Sequence, residues 1–195
     1  MARLFFITHP DVTVDPRIDV RRWRLSDTGI TRMRAFAEVP VVADLRAIWS
    51  SGEAKAIEAA GILAAGLGLG VQVDDDLGEN DRSATGFLPP EEFEQVADRF
   101  FADPEQSVRG WEPAASAQRR IGAAMDRILA GHDGGDIAIV AHGAVGSLLL
   151  CKYLEQPISR AADQPFQGHY WLANLPDRAI LHRWKPIAPR VLARG

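Results

Sequence analysis

The chain has one cysteine, Cys151, among its 195 residues. A lone thiol excludes an intrachain disulfide framework, and no Cys/His group has the spacing of a zinc site. No apolar stretch approaches the roughly 20 residues that a membrane-spanning helix needs. The apolar run near the N-terminus covers only residues 4–7 and has no cleavage-type tail, so no secretory signal is expected. Basic charge is not in excess either: 22 Lys and Arg against 26 Asp and Glu leave a formal net charge of -4. That balance argues against general nucleic-acid binding and against docking on an anionic membrane. Internal repeats and low-complexity tracts are also lacking. The expectation is a reduced, cytoplasmic, soluble protein. Its 47% hydrophobic content suffices for one substantial core, so residues 1–195 are expected to form one domain.

Residues 3–11, RLFFITHPD, organise what is present. Residues 4–7 form an unbroken apolar run, as in a strand buried on both faces. Pro10 cannot donate to a sheet ladder, so the strand stops at Thr8 and His9. His9 therefore sits at the C-terminal edge of a buried strand, where open α/β sheets bind ligands. Residues 136–153, DIAIVAHGAVGSLLLCKY, repeat the arrangement. Residues 137–141 read as a central strand, His142-Gly143 as a turn and Ala144 onward as an apolar helix. That places His142 beside the free N–H groups of a helix start. Each histidine alone also fits plain packing at a strand end. His132, His169 and His182 lack this setting and read as ordinary, and Cys151 reads as core.

Between these stretches the charged residues are unevenly placed. Residues 11–25 read as a loop carrying Arg17, Arg21, Arg22 and Arg24, either a solvated charge run or an anion-facing loop beside His9. Ser26 reads as an N-cap, with Ile30, Met33 and Ala37 forming one apolar helical stripe. Residues 46–51 pass from a short strand into a helix start. There Ser50 and Glu53 fit an S-x-x-E capping box, predicting a helix from about Ser51 to Ala65. Lys55 lies early in that helix, where a cation opposes the dipole unless an anion is bound. A lysine reaching out to solvent is the alternative. The glycine-rich turn at 66–70 is no phosphate loop, since no Gly-Lys-Ser/Thr follows it. Val71 and Val73 suggest another strand, followed by an acidic loop with Glu79, Asp81 and Arg82. Residues 84–110 read as an insertion or lid with its own helix, whose face holds Phe93, Val96, Ala97 and Phe100. A further helix presents Ala117, Ile121, Ala124 and Ile128. The chain closes with a hairpin turning at Leu175-Pro176-Asp177.

Five segments, in order, resemble the histidine phosphatase superfamily, the phosphoglycerate mutase-like fold. ITHP stands where that family has a strand followed by Arg-His-Gly. LSDTG resembles its Leu-Ser/Thr-x-x-Gly helix start, and IWSSGEAKAIEAA its Tyr-Ser-Ser-Pro-x-x-Arg-Ala-x-x-Thr-Ala segment. LGEND resembles its Leu-x-Glu loop, and IVAHGAVGSLLL the strand, His-Gly and helix of its second histidine. The resemblance implies a three-layer α/β/α sandwich with a mostly parallel sheet. It implies that His9 attacks phosphorus to form a transient phosphohistidine, that Glu79 serves as acid and base, and that a protonated His142 binds the phosphoryl oxygens. It implies a small phosphorylated substrate and no metal or other cofactor.

The departures from the pattern are specific. The family's arginine before the nucleophile is Thr8, the glycine after it is Pro10, its second arginine falls at Lys55, and its threonine at Ala59. Arginine offers phosphate a planar fork, lysine only a point charge. The expected phosphate ligands are therefore Thr8, Lys55, Arg17 and Arg82, with Arg17 the first choice to replace the missing guanidinium. The two functions that fit are a metal-independent phosphomonoesterase and a phosphate-binding protein that has kept the pocket but lost turnover.

Overall fold

Apolar runs cut by proline, glycine and short polar turns set the element boundaries. The structure, a computed structural model, describes residues 2–189. Its strands β1 (Arg3–Thr8), β2 (Leu45–Ser50), β3 (Val71–Val73), β4 (Asp136–Ala141), β5 (His169–Asn174) and β6 (Ile180–Pro186) form one sheet. The strand order is β3-β2-β4-β1-β5-β6. The β1, β2, β3 and β4 strands pair in parallel, and β5 runs antiparallel to both β1 and β6. Helices α1 (Asp27–Ala37), α2 (Ala54–Leu67), α3 (Pro90–Ala102), α4 (Ala114–Ala130) and α5 (Gly143–Tyr153) cover its two faces. This is the expected three-layer α/β/α sandwich. Among the described residues, no helix is long and apolar enough to cross a membrane.

Burial explains why the central strands read as unbroken apolar runs. Successive residues of β1 and β4 go to opposite faces. Leu4, Phe6, Ile137 and Ile139 pack with the residues of α3, α4 and α5, whereas Phe5, Ile7, Ala138 and Val140 pack with those of α1 and α2. Both faces are thus covered, as parallel strands require. At the end of the sheet remote from His9, the Arg3 guanidinium pairs with the buried Asp136 carboxylate, which also accepts the Arg3 N–H at 2.8 Å. That bond ties the first residue of β1 to the first of β4.

Several helix expectations need adjustment. The buried face of α1 is Gly29, Arg32, Met33 and Phe36, so the stripe is turned slightly from Ile30 and Ala37. All of Ala117, Ile121, Ala124 and Ile128 are buried on α4. On α3, Val96, Ala97 and Phe100 are buried with Phe101, while Phe93 is only partly covered. The α2 helix starts at Ala54, not Ser51, and the Ser50/Glu53 capping box does not form. The Ser50 hydroxyl donates instead to the Ser51 carbonyl at 2.9 Å, and Glu53 has no side-chain cap bond because its carboxylate is engaged elsewhere. Residues 11–25 are not wholly irregular: an antiparallel bridge joins Val12 to Leu25, and Val20–Arg22 form a 3-10 turn.

One tight approach anchors this region. Ser26 caps α1 by accepting the Gly29 N–H at 3.2 Å, and the Ser26 N–H donates to the Asp11 carbonyl at 2.9 Å. A Cβ on Gly29 would be driven into that same Asp11 carbonyl oxygen, which is backbone and cannot rotate away. Gly29→Ala is therefore expected to destabilise the fold by about 1–3 kcal/mol, the usual cost of overpacking. Urea unfolding reads this directly, and a variant as stable as the parent would contradict the packing described.

Candidate functional site

Strand register builds the site. Ile7 pairs with Val140 and Thr8 with Ala141 across β1 and β4, while Ser50 pairs with Val140 across β2 and β4. The next residue on each strand is His9, His142 and Ser51 respectively, so three strand ends deliver these side chains to one place. Two further bonds extend the pairing: the His9 N–H donates to the Ala141 carbonyl at 3.0 Å and the Ser51 N–H to the Val140 carbonyl at 3.2 Å. The two imidazole centroids lie 5.2 Å apart with the rings inclined by 66°.

His9 Nδ1 lies 2.9 Å from the Pro10 carbonyl. A carbonyl only accepts, so Nδ1 carries the hydrogen and Nε2 keeps its lone pair. Burial, reinforced by the Lys55 charge, lowers the His9 pKa to about 4, so the ring is neutral near pH 7. His142 is fully buried. Its Nε2 is 2.7 Å from Ser51 Oγ and 3.4 Å from Glu53 Oε1, while its Nδ1 has no hydrogen-bond partner among the described residues. Burial lowers its pKa well below the ordinary value, against the opposing pull of Glu53.

Two carboxyl groups flank the histidines and are pushed in opposite directions. Burial raises Glu79, although Arg82 and the N–H groups of Ala144 and Val145 favour its charged form. Those two N–H groups, in the first turn of α5, donate to it at 3.2 and 3.1 Å. For Glu53, burial would also raise the pKa, but His142 and Lys55 outweigh it and hold the carboxyl at about 2. Groups with separated pKa values can take separate acid and base roles.

The expected phosphate ligands are not all brought together. Lys55 is buried, not reaching to solvent; its ammonium pairs with the Glu53 carboxylate and donates to the Val20 carbonyl at 2.8 Å. The anion that relieves a cation at this helix start is thus a side chain of the same segment. Arg82 lies over the rings of Phe93 (5.1 Å) and Trp111 (5.6 Å), and no ion pair to it is present among the described residues. Arg17 lines the cavity described below, but its side chain is 88% exposed and its guanidinium forks onto Asp15. Arg21 is likewise forked onto Asp19, and Arg24 pairs with Glu58. Thr8 is engaged within the sheet. Its hydroxyl donates to Gln164 at 2.6 Å and accepts the N–H groups of Gly168 and His169 at 3.2 and 3.0 Å, tying β1 to β5. A local charge pattern cannot reveal such partners, because an aspartate two residues away takes the guanidinium even where, as for Arg17 and Arg21, the residue lines the cavity.

A cavity of about 1120 Å³ has Arg17, Glu53, Glu79, Arg82, Phe87 and Trp111 in its wall, and Glu53 links it to His142. Trp23 meets Phe87 with ring centroids 5.9 Å apart, joining residues 11–25 to residues 84–110 over that space. Among the described residues, no group of three or more His, Cys, Asp or Glu side chains is placed to hold a metal ion. The sequence reading missed two participants. Glu53 looked like a helix cap. Arg120, in mid-helix, donates to the carbonyls of Asp76, Gly78 and Glu79 at 2.8, 3.0 and 3.2 Å and so braces the Glu79 loop, while pairing with Glu112. Nothing in the local sequence marks Arg120; the anomalous charge at Lys55 was the one signal pointing to Glu53.

The depressed His9 pKa carries a stability consequence. Between about pH 4 and pH 6.5 the folded protein holds fewer protons at this ring than the unfolded chain does, so stability falls as pH drops through that window. His142 acts in the same direction. In His9→Asn, the loss of unfolding free energy between about pH 7 and about pH 4.5 should shrink by about 2 kcal/mol. Urea unfolding at the two pH values measures it, and an undiminished pH dependence would show that His9 does not titrate this way.

The family model described as histidine phosphatase superfamily (branch 1) matches residues 13–171. No curated protein sequence matches the chain. Solved structures with the same fold include Bacillus stearothermophilus YhfR, with a TM-score of 0.76 and 20% identity over 94% of this chain and 95% of that one. A mycobacterial glucosyl-3-phosphoglycerate phosphatase in complex with inorganic phosphate gives a TM-score of 0.76 and 22% identity, covering 95% of each chain. Phosphoserine phosphatase from Entamoeba histolytica, in complex with 3-phosphoglyceric acid, gives 0.76 and 15% over 95% of this chain and 98% of that one. The matched span covers most of the chain and includes Lys55, Glu79 and His142, and the chain belongs to branch 1 of the histidine phosphatase superfamily.

Proposed function

We propose that the protein is a phosphomonoester hydrolase working through a phosphohistidine on His9. One observation carries the reading: the His9 and His142 rings are 5.2 Å apart, with the buried His142 Nδ1 lacking a hydrogen-bond partner among the described residues. A neutral imidazole with Nδ1 held as donor is a nucleophile at Nε2. In the proposed reaction Nε2 of His9 attacks phosphorus as the bond to the leaving oxygen breaks. Glu79, kept protonatable by burial, gives its proton to that oxygen. The resulting Glu79 carboxylate then takes a proton from water, whose oxygen attacks phosphorus; the P–N bond breaks and His9 is regenerated.

A phosphate monoester brings about two negative charges. His142 Nδ1, the Arg82 guanidinium and Lys55 are the groups assigned to meet them, which is the main work in such a transfer. The arrival of the anion favours the imidazolium form of His142, whose Nδ1–H then donates to a phosphoryl oxygen. Arg82 replaces Arg17 as the preferred source of the missing guanidinium, because its fork is not committed to a carboxylate. Residues 84–110 form the lid over the leaving group within a single-domain chain. The relatives that bind phosphate or 3-phosphoglyceric acid, and the one named for glucosyl-3-phosphoglycerate, support a small phosphorylated substrate. A lone buried thiol fits a reducing compartment such as the cytoplasm.

A second reading, a phosphate-binding protein without turnover, is favoured by one feature: Lys55, at the family's arginine position, is already matched by Glu53. Hydrolysis of a broad panel of phosphomonoesters, with and without EDTA, separates the two. The phosphatase reading expects EDTA-insensitive turnover that His9→Ala abolishes, and it is overturned if turnover survives in that variant. Phosphate binding with no turnover of any ester supports the second reading.

Arginine replacement makes a sharper prediction. Arg82→Lys keeps the charge but loses the fork, and kcat/KM should fall by about 10²–10³, as for loss of one oxyanion donor. Arg17→Ala should change it by less than about threefold, the level of an exposed pair. Steady-state kinetics on both variants checks the assignment, and the opposite ranking would restore Arg17.

A further inference from the structure

We propose that Glu53 is a positioning residue whose carboxylate favours the imidazolium form of His142 and orients that ring's Nδ1 toward the phosphoryl group. This rests on the phosphatase reading but concerns a residue outside its acid, base and nucleophile. The geometry is three-sided. Glu53 Oε1 accepts the Glu79 N–H at 3.0 Å and lies 3.4 Å from His142 Nε2, and Oε2 takes the Lys55 ammonium. Ser51 Oγ takes the one hydrogen-bonding position on His142 Nε2 at 2.7 Å, so Glu53 acts there as a neighbouring charge, and Ser51 Oγ also accepts the Glu53 N–H at 3.4 Å. The side chain is 9% exposed, so these contacts are made out of bulk water, where a charge acts strongly.

The consequence follows from which nitrogen each group addresses. Glu53 and Ser51 both address Nε2, leaving Nδ1 as the free corner of the ring. An ionised carboxylate beside Nε2 stabilises a hydrogen there, and a phosphoryl oxygen at Nδ1 stabilises a second. The doubly protonated ring therefore needs an anion on each side. Glu53 is the built-in one, and the substrate supplies the other. The remaining charges facing His142 do not replace it. Lys55 from the start of α2, Arg82 from the acidic loop and His9 from β1 all oppose a positive ring. Glu79 lies against the first turn of α5, where Ala144 and Val145 N–H groups hold it, and is kept toward its neutral form. Glu53 thus joins the helix-start cation, the Glu79 backbone and the second histidine in one unit.

The inference separates two roles for similar residues. A carboxylate held at about pKa 2 cannot serve as the proton donor near neutral pH, so Glu53 is not a rival for the function assigned to Glu79. It acts through His142, and its removal should slow the chemical step more than it weakens substrate binding.

The test uses the full chain, 15N-labelled at histidine, with inorganic phosphate as the probe. In the wild type with saturating phosphate near pH 7, both ring nitrogens of His142 should report protonation; in Glu53→Gln, only one should. In phosphate-free protein, the His142 titration midpoint should move down by about one pH unit or more in Glu53→Gln, the shift expected on losing an opposite charge at this range. Glu53→Asp keeps the charge and should return the midpoint most of the way to wild type, and Glu53→Ala, which also removes the charge, stands in if the Gln variant fails to fold. On a hydrolysed ester, Glu53→Gln should lower kcat by about 10–100-fold, on the scale of other supporting-residue losses, with KM moving much less. An unchanged His142 midpoint and protonation state in Glu53→Gln would overturn the inference, whatever the turnover. Absence of wild-type hydrolysis would instead sink the phosphatase reading while the ring titration still decides the role of Glu53.

Discussion

The pairing of β1 with β4 is the constraint on which the site depends. Parallel register sets Thr8 opposite Ala141, and the extra bond from the His9 N–H to the Ala141 carbonyl carries that register one residue past the strand ends. A slip of one residue would turn every side chain of β1 to the other face. It would exchange the environments of Phe5 and Phe6, both fully buried, and remove His9 from His142. The cores on both faces of the sheet therefore enforce the distance between two imidazoles that belong to neither core. The Arg3–Asp136 pair fixes the opposite end of the same strands.

Around that fixed pair the charges are arranged as a balanced set. Lys55 is neutralised by Glu53, Glu53 also faces His142, and Glu79 occupies the first turn of α5. Arg82 is left with aromatic faces as its contacts. Burying charge is tolerable only with partners, and each partner here is another member of the site. The arrangement explains how two carboxyl groups close to one pair of histidines differ so much. Glu53 is held ionised by Lys55 and the neighbouring His142 ring, whereas Glu79 is raised by burial against the partial help of Arg82 and helix N–H groups. The same burial makes the site sensitive to acid.

Much of the fold was legible because its signals are local. The apolar runs at 4–7 and 137–141, the stripe on α4 and the hairpin after His169 are written in consecutive residues, and each took its expected place. The adjacency of His9 and His142 was legible only through family resemblance, since 133 positions separate them. What could not be read were competitions between local and distant partners. Arg17 looked like a spare guanidinium but is taken by Asp15, and Thr8 looked like a reduced phosphate ligand but ties β1 to β5. Glu53 had the spacing of a cap, and the buried Lys55 ammonium and His142 ring claimed it instead. Arg120 carries no local mark at all, because its acceptors are backbone carbonyls of a loop 41 to 44 residues earlier.

The most direct test is an experimental structure of the protein soaked with orthovanadate, which mimics the five-coordinate phosphorus of the transfer. The account predicts vanadium bound to His9 Nε2, one of its oxygens within hydrogen-bond distance of His142 Nδ1, and the Arg82 guanidinium turned toward the group. Vanadate bound away from His9, or bound with both histidines still facing only each other, would contradict it.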